Sequence, residues 1–256
     1  MAYTRSSCAD DHPPLIRAFD IAVSLTVLVL ILPVMVLIAF AIAIESGFPI
    51  FYIQKRLGMA GTLFGMYKFR KFGPAEGETG SPLTLEHDSR LTRVGAFLAR
   101  TKLDELPQIF NVLRGEMAIV GPRPESLSFA KCFTPHFRAL LRYRPGIVGP
   151  SQVFFRSECR FYPLGEDAAA FYCRVLFPAK ATIDLNYYPR RTLLQDLGWM
   201  LRALAVVCLP GAVGGAKTQI DLSLVASAGG PARIADSAGG PLSLDLGSVS
   251  GKGSAR

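Results

Sequence analysis

No C-x-x-C pair and no His/Cys cluster with zinc spacing occur in the 256 residues, and the three histidines are scattered. A metal site must therefore be built from carboxylate oxygens, which favour Mg²⁺ or Mn²⁺. The five cysteines, at positions 8, 132, 159, 173 and 208, are odd in number, so they are expected to be reduced and structural, as in the cytosol. No G-x-x-x-x-G-K-[ST] loop and no G-x-G-x-x-G fingerprint appears, which argues against P-loop and dinucleotide chemistry. No internal repeat stands out. Acidic side chains are the scarcer charge, 20 against 28 basic, and the net +8 suits an anionic membrane surface, a phosphorylated substrate or a nucleic acid. The cations are spread along the chain without a recognisable binding module, so no nucleic-acid partner is expected.

Charge is missing altogether from Ile21 to Ile44, "IAVSLTVLVLILPVMVLIAFAIAI". As a straight helix these 24 residues reach roughly 36 Å, enough for a bilayer core of about 30 Å. Pro33 sits near the middle, where it deletes a backbone hydrogen bond and clashes with the carbonyl of Val29. A break there leaves halves of about 18 Å, too short to cross, and turns the segment back to the face it entered. Arg5 and Arg17 precede the run; Lys55, Arg56, Lys68, Arg70 and Lys71 follow it. Basic flanks on both sides agree with a re-entrant hairpin, and a single span stays open. A signal peptide cleaved near Ala41-Ile42-Ala43 fits poorly, because the run exceeds the usual h-region of about 7–15 residues.

Two β-like runs follow, in 46–58 and 61–73, the second with Lys68, Arg70 and Lys71 alternating with aromatics. Residues 74–87 read as a polar, mobile loop. A helix is expected over 90–98 and another from Asp104 to about Gly115. Residues 117–124 read as a buried strand entering a rigid turn, 126–142 as helical, 143–155 as turn then strand, and 166–177 as a helix ended by Pro178. Leu193, Leu197, Met200, Leu201 and Leu204 mark an amphipathic helix, and Trp199 and Arg202 suit a headgroup boundary. Beyond Pro210 the chain is rich in Gly, Ser and Ala and is expected to be disordered. The division is thus 1–45 for the N-terminal segment and membrane helix, 46–209 for a catalytic domain, and 210–256 for the tail.

One stretch concentrates unusual chemistry: "LDELPQIFNVLRGEMAIVGPRPE", Leu103 to Glu125. Acids at a helix start have an ordinary explanation, since the dipole stabilises each by about 0.3–1 kcal/mol. Here, however, Arg123 lies between two prolines, a preorganised guanidinium suited to phosphate. Adjacent carboxylates on a helix point about 100° apart and suit two jobs, one attacking and one holding a metal ion. Glycosidase chemistry, with carboxyls flanking a sugar about 5–9.5 Å apart, does not match neighbours in sequence.

With "RAFDIAVSLTVLVLILP", "ESGFPIFYIQKRLG", "FGMYKFRKF", "YRPGIVGPSQV" and "TIDLNYYPRRTLLQDLGWML" in the same order, the chain resembles bacterial sugar transferases, the monotopic polyprenyl-phosphate phosphoglycosyl transferases. The resemblance covers about Leu15 to Val207. It implies an α/β fold: a small mixed α+β catalytic domain on the cytoplasmic face of the inner membrane, with an N-terminal re-entrant membrane helix hairpin broken near Pro33 and interfacial amphipathic helices. It implies transfer of a sugar-1-phosphate from a UDP-sugar to polyprenyl phosphate with release of UMP, the first membrane step of polysaccharide or glycoconjugate assembly. Asp104 would be the nucleophile and Glu105 the Mg²⁺ ligand. Arg123, Lys68, Arg70 and Arg156 would bind phosphate. Implied partners are the donor, the acceptor and membrane lipids, with a homodimer as a further candidate. Many relatives carry "KPGITGLxQV" followed by "NGR", where this chain has "RPGIVGPSQVFFRSE", so residues 150–156 are expected to alter the sugar or nucleotide pocket. The alternative from another class is a non-catalytic membrane scaffold.

Overall fold

The computed structural model describes residues 13–73, 90–156, 158–163 and 167–208, and a two-residue pairing of 235–236 with 240–241. The expected loop at 74–87 and most of the expected tail at 210–256 lie outside the described residues. The architecture is mixed α/β, mostly helical, with small two-stranded sheets.

Helix α1 (Pro14–Ser46) carries the charge-free run. One stripe faces the body: Ile16, Asp20, Ser24, Met35, Ile38 and Ile42 are buried, with Val23, Leu28 and Ile31 filling the middle. The other side exposes Leu25, Val29, Leu30, Leu32, Val36, Leu37, Phe40 and Ile44. The break expected at Pro33 is not seen as an interruption: residues on both sides stay helical, and Pro33 lies on the exposed face. A proline removes only one backbone bond, and the inward stripe holds both halves against the same core.

Polar groups fasten both ends of α1 to that body. Arg17 donates to the carbonyls of Val112 and Leu113 at 2.6 and 3.0 Å, and Ile119 N donates to Asp20 Oδ1 at 3.2 Å. At the other end Glu45 accepts from Arg93 N and Val94 N at 2.8 and 3.0 Å, capping the next helix.

Strands β1 (Phe51–Leu57) and β2 (Leu63–Phe69) form an antiparallel hairpin, with Phe51 opposite Phe69 and Leu57 opposite Leu63. Helix α2 (Arg93–Thr101) starts at Thr92, whose hydroxyl accepts from Gly95 N. Gly95 admits no side chain: a Cβ there would lie 1.9 Å from Lys71 O. Helix α3 (Gln108–Arg114) ends at Gly115 with φ +83°, and the chain enters β3 (Ala118–Val120), parallel to β4 (Gly146–Val148).

Three expectations need correction here. Residues 150–154 form helix α4 (Pro150–Phe154), not a strand, because extended Gly149 is followed by a proline at the first helical position. Pro178 does not end its helix. Helix α5 (Ala168–Phe171), a π-helical turn (172–176) and helix α6 (Phe177–Tyr187) run on continuously, and the widened π turn lies directly before Pro178, where the helical bonding is already altered. The cysteines are not all reduced: Cys132 and Cys173, 41 residues apart, are joined with Cα atoms 5.2 Å apart. Residues 126–142 contain two short 3₁₀ helices, at 127–132 and 137–142.

Helix α7 (Leu193–Cys208) turns Trp199, Met200 and Val206 toward the protein, with Asp196 among them. Asp196 is buried and accepts from Tyr187 Oη at 2.6 Å, whereas Leu194, Leu197, Leu201 and Leu204 are exposed.

Candidate active site

Lys102, in the left-handed region at φ 66°, turns the chain out of α2 and into a 3₁₀ turn, Leu103–Glu105, that carries both acids. Asn111, fully buried on α3, ties this region to the hairpin: it donates to Gly65 O at 2.7 Å and accepts from Tyr67 N at 3.0 Å. The period-2 register of β2 puts Phe64, Met66 and Lys68 on its inward side, so Lys68 follows two core residues into the site.

Lys68 Nζ meets Glu105 Oε1 at 3.1 Å, and Arg123 Nη2 reaches the same oxygen at 3.3 Å. Glu105 Oε2 takes no bond among the described residues. Asp104 is 3% exposed; Lys71 Nζ stands 3.8 Å from its Oδ2, and its Oδ1 has no hydrogen-bond partner. The two acids thus have separate cation sets. Burial works against charge on Glu105, yet Lys68 and Arg123 outweigh it and hold the carboxyl well below its ordinary range. Burial pulls the Lys68 ammonium down to about 8 despite Glu105, whereas Glu105 raises the Arg123 guanidinium above its ordinary value. Arg123 is therefore the durable partner.

Arg123 comes from the loop after β3, and a second layer holds that loop. Arg56 donates to Pro124 O at 3.2 Å, and Leu57 N to Glu125 O at 3.0 Å. Tyr172 Oη donates to Glu125 Oε1 at 2.7 Å and accepts from Lys180, which also donates to Glu158 at 2.9 Å. The π turn that presents Tyr172 is thus tied to the phosphate-binding candidate. The sequence reading missed Lys71's role, Asn111 and this network, and the "YKF" and "GPRPE" segments alone carry no sign of them.

Not every expected residue converges. The structure brings together Asp104, Glu105, Lys68 and Arg123. Arg70 instead caps α1, donating to Ser46 O and Gly47 O at 2.8 and 2.7 Å. Among the described residues no hydrogen bond or ion pair links Arg156 to either acid.

The bacterial sugar transferase family profile matches residues 12–210. The chain belongs to this family. Similar to this sugar transferase are exopolysaccharide production protein ExoY of Sinorhizobium fredii, 30% identical over 208 residues that cover 75% of this chain and 85% of that protein; an undecaprenyl-phosphate galactose phosphotransferase of Salmonella typhimurium, 35% identical over 208 residues, 75% of this chain and 40% of that one; and a UDP-N-acetylgalactosamine-undecaprenyl-phosphate N-acetylgalactosaminephosphotransferase of Aeromonas hydrophila, 37% identical over 140 residues, 54% and 33%.

In the cavity of the sugar transferase that Arg123 also lines, Asp184 on α6 accepts from Ser151 Oγ at 2.8 Å and Ser151 N at 3.2 Å. Burial pushes its carboxyl up to about 7, against those hydrogen bonds. Unfolded, it titrates near 3.8. Between these values the folded protein holds a proton that the unfolded chain has released, so this residue's contribution to stability falls as pH rises and levels off above about 7. The full swing is about 4 kcal/mol at most. Asp184→Asn keeps both bonds to Ser151 and is expected to remove the slope. Unfolding free energies of the two proteins should diverge by a few kcal/mol, about 2 or more, in favour of the mutant from pH 5 to pH 8. Parallel curves would mean that Asp184 is ionised in the fold.

Proposed function

We propose that the protein transfers a sugar-1-phosphate from a UDP-sugar to undecaprenyl phosphate, releasing UMP and forming a polyprenyl-diphosphate-sugar through a phosphosugar ester of Asp104. The observation that carries this reading is the division of labour between the neighbouring acids. Glu105 is committed to Lys68 and Arg123, while buried Asp104 keeps one oxygen without a partner. A carboxylate carrying two cations is a poor nucleophile; one with an open oxygen is a better one. Asp104 Oδ1 attacks the sugar-proximal phosphorus as the bond to UMP breaks. The acceptor phosphate then attacks the same phosphorus and Asp104 is released. Splitting one displacement into two keeps each step a transfer between oxygens.

Arg123 and Lys68 supply positive charge to the diphosphate, Arg123 with a backbone fixed by flanking prolines. The donors present suit Mg²⁺. Among the described residues no set of three or more metal-binding side chains is gathered, but Lys68 and Arg123 both bind Glu105 through Oε1, which leaves its Oε2 for the ion and Asp104 Oδ1 for attack. One or two carboxylates completed by substrate phosphate oxygens and water is the usual setting for this ion. When bound there it would neutralise diphosphate charge and assist departure of UMP. Arg70 acts in this reading as a structural cap, and residues 150–156 bear on the choice of sugar.

The membrane reading rests on α1 and α7. Arg17 and Glu45 tie opposite ends of α1 to one domain, which favours a segment that enters and leaves on one face over a full crossing, although the helix runs through Pro33 without interruption. The exposed leucines of α7 suit the interface of the same leaflet. The domain is then cytoplasmic, where UDP-sugars are made available. A scaffold role would leave the buried, partnered acid pair without purpose.

The test is UMP release by detergent-purified protein from a panel of UDP-sugars with Mg²⁺ and undecaprenyl phosphate. Release from one donor, dependent on the acceptor for turnover, is expected; none from any donor by folded protein would sink the transferase reading. In vesicles, Leu15→Cys and Phe48→Cys should both label from the same side. Labelling from opposite sides would establish a crossing helix.

A further inference from the structure

We propose that Lys71 is the positioning residue that selects the attacking oxygen of Asp104 and speeds its release from the phosphosugar ester. The inference rests on the transfer reading above. Three features single out Lys71. Its ammonium stands 3.8 Å from Asp104 Oδ2, on the opposite oxygen from the unpartnered Oδ1. Its side chain and that of Asp104 are only 19% and 4% exposed, so water screens the pair poorly. Its backbone is locked: Thr92 N donates to Lys71 O at 3.1 Å, and Gly95 packs directly on that carbonyl.

The consequence is different for the two half-reactions. In the first, Oδ1 bonds to phosphorus and the electron pair of the broken bond leaves with UMP. A cation on Oδ2 withdraws charge from the attacking carboxylate and does not help this step. In the second, an acceptor phosphate oxygen bonds to phosphorus, the bond to Oδ1 breaks, and its electron pair returns to the carboxylate. The charge that develops is shared with Oδ2, where Lys71 meets it. No proton needs to move in either step. Lys71 therefore favours Asp104 as a leaving group over Asp104 as a nucleophile, and it keeps the ester from becoming a trap.

Lys71→Met should show this as a split. The first turnover, read as UMP released per enzyme in a rapid burst without acceptor, should stay within about threefold of wild type. Steady-state turnover with acceptor should fall by about 10- to 100-fold, as for loss of one charge-assisted contact. The phosphosugar-enzyme should accumulate, seen as the added mass on intact protein. Lys71→Arg should restore most of the turnover. A burst and turnover lowered equally, or both unchanged, would overturn the proposal, as would failure of Arg to rescue while melting temperatures match. If wild-type protein itself gives no burst and no turnover, the transfer reading fails instead, so the two failures are distinguishable.

Discussion

Asp104→Asn is expected to lower UMP release by at least about 1000-fold, with the melting temperature little changed. The amide has the shape of the carboxylate and can still face Lys71, but it offers no oxygen able to take up a phosphoryl group. The local electrostatic losses are the ion pair with Lys71 at 3.8 Å and the attraction of Asp104 for the Lys68 ammonium, and neither is a direct hydrogen bond. Stability should therefore be spared where chemistry is not. The rival nucleophile is its neighbour. Glu105 carries two cations on one oxygen and is held ionised well below its usual range, so its charge is already engaged. If Asp104→Asn keeps more than a few per cent of the rate in a single-turnover UMP assay, Glu105 or water must attack, and the division of roles between the two acids is wrong.

Much of this site is visible in the linear chain because it is local. "LDELPQ" places Asp104 and Glu105 in one turn, "GPRPE" fixes Arg123, and the period-2 register of β2 points Lys68 inward. What stays hidden depends on which element lands beside which. Arg70 has the same parity as Lys68, two residues on, but the end of α1 reaches it before the acids do. Lys71 has the other parity, and only the packing of α2 on its backbone brings its side chain to Asp104. The Cys132–Cys173 pair and the Glu125–Tyr172–Lys180 chain join segments some 40 or more residues apart, and no spacing rule reports them. Residues 150–155 look like a strand because Val153, Phe154 and Phe155 have strand composition. The preceding Gly149-Pro150 step starts a helix instead, a case of local geometry overriding propensity. Helix α7 was legible in its period but ambiguous in its direction. Asp196, Trp199, Met200 and Val206 face the protein, which leaves Leu194, Leu197, Leu201 and Leu204 outward beside Gln195 and Arg202.

Glu105→Gln should damage both fold and function, and the two losses can be separated. Removing the charge leaves Lys68 and Arg123 facing each other without their shared counter-ion. Stranding the partners of a buried carboxylate typically costs about 3–5 kcal/mol. The side chain of Arg123 is 33% exposed, so solvent relieves part of this, and a loss of about 2–4 kcal/mol is expected. For a chain of this size that lowers the melting temperature by roughly 5–15 °C. Adding Lys68→Met removes one of the two stranded cations and places an apolar stem where Lys68 is already almost fully buried. The double mutant should recover at least half of the lost stability, measured by thermal unfolding in the same detergent. It should recover none of the activity, because the diphosphate then meets one cation fewer and the candidate Mg²⁺ ligand is still gone. Activity that returned with stability would mean that Glu105 serves only to balance charge in the fold. Activity that stays lost in a protein restored to near its original melting temperature would place Glu105 in the chemistry itself.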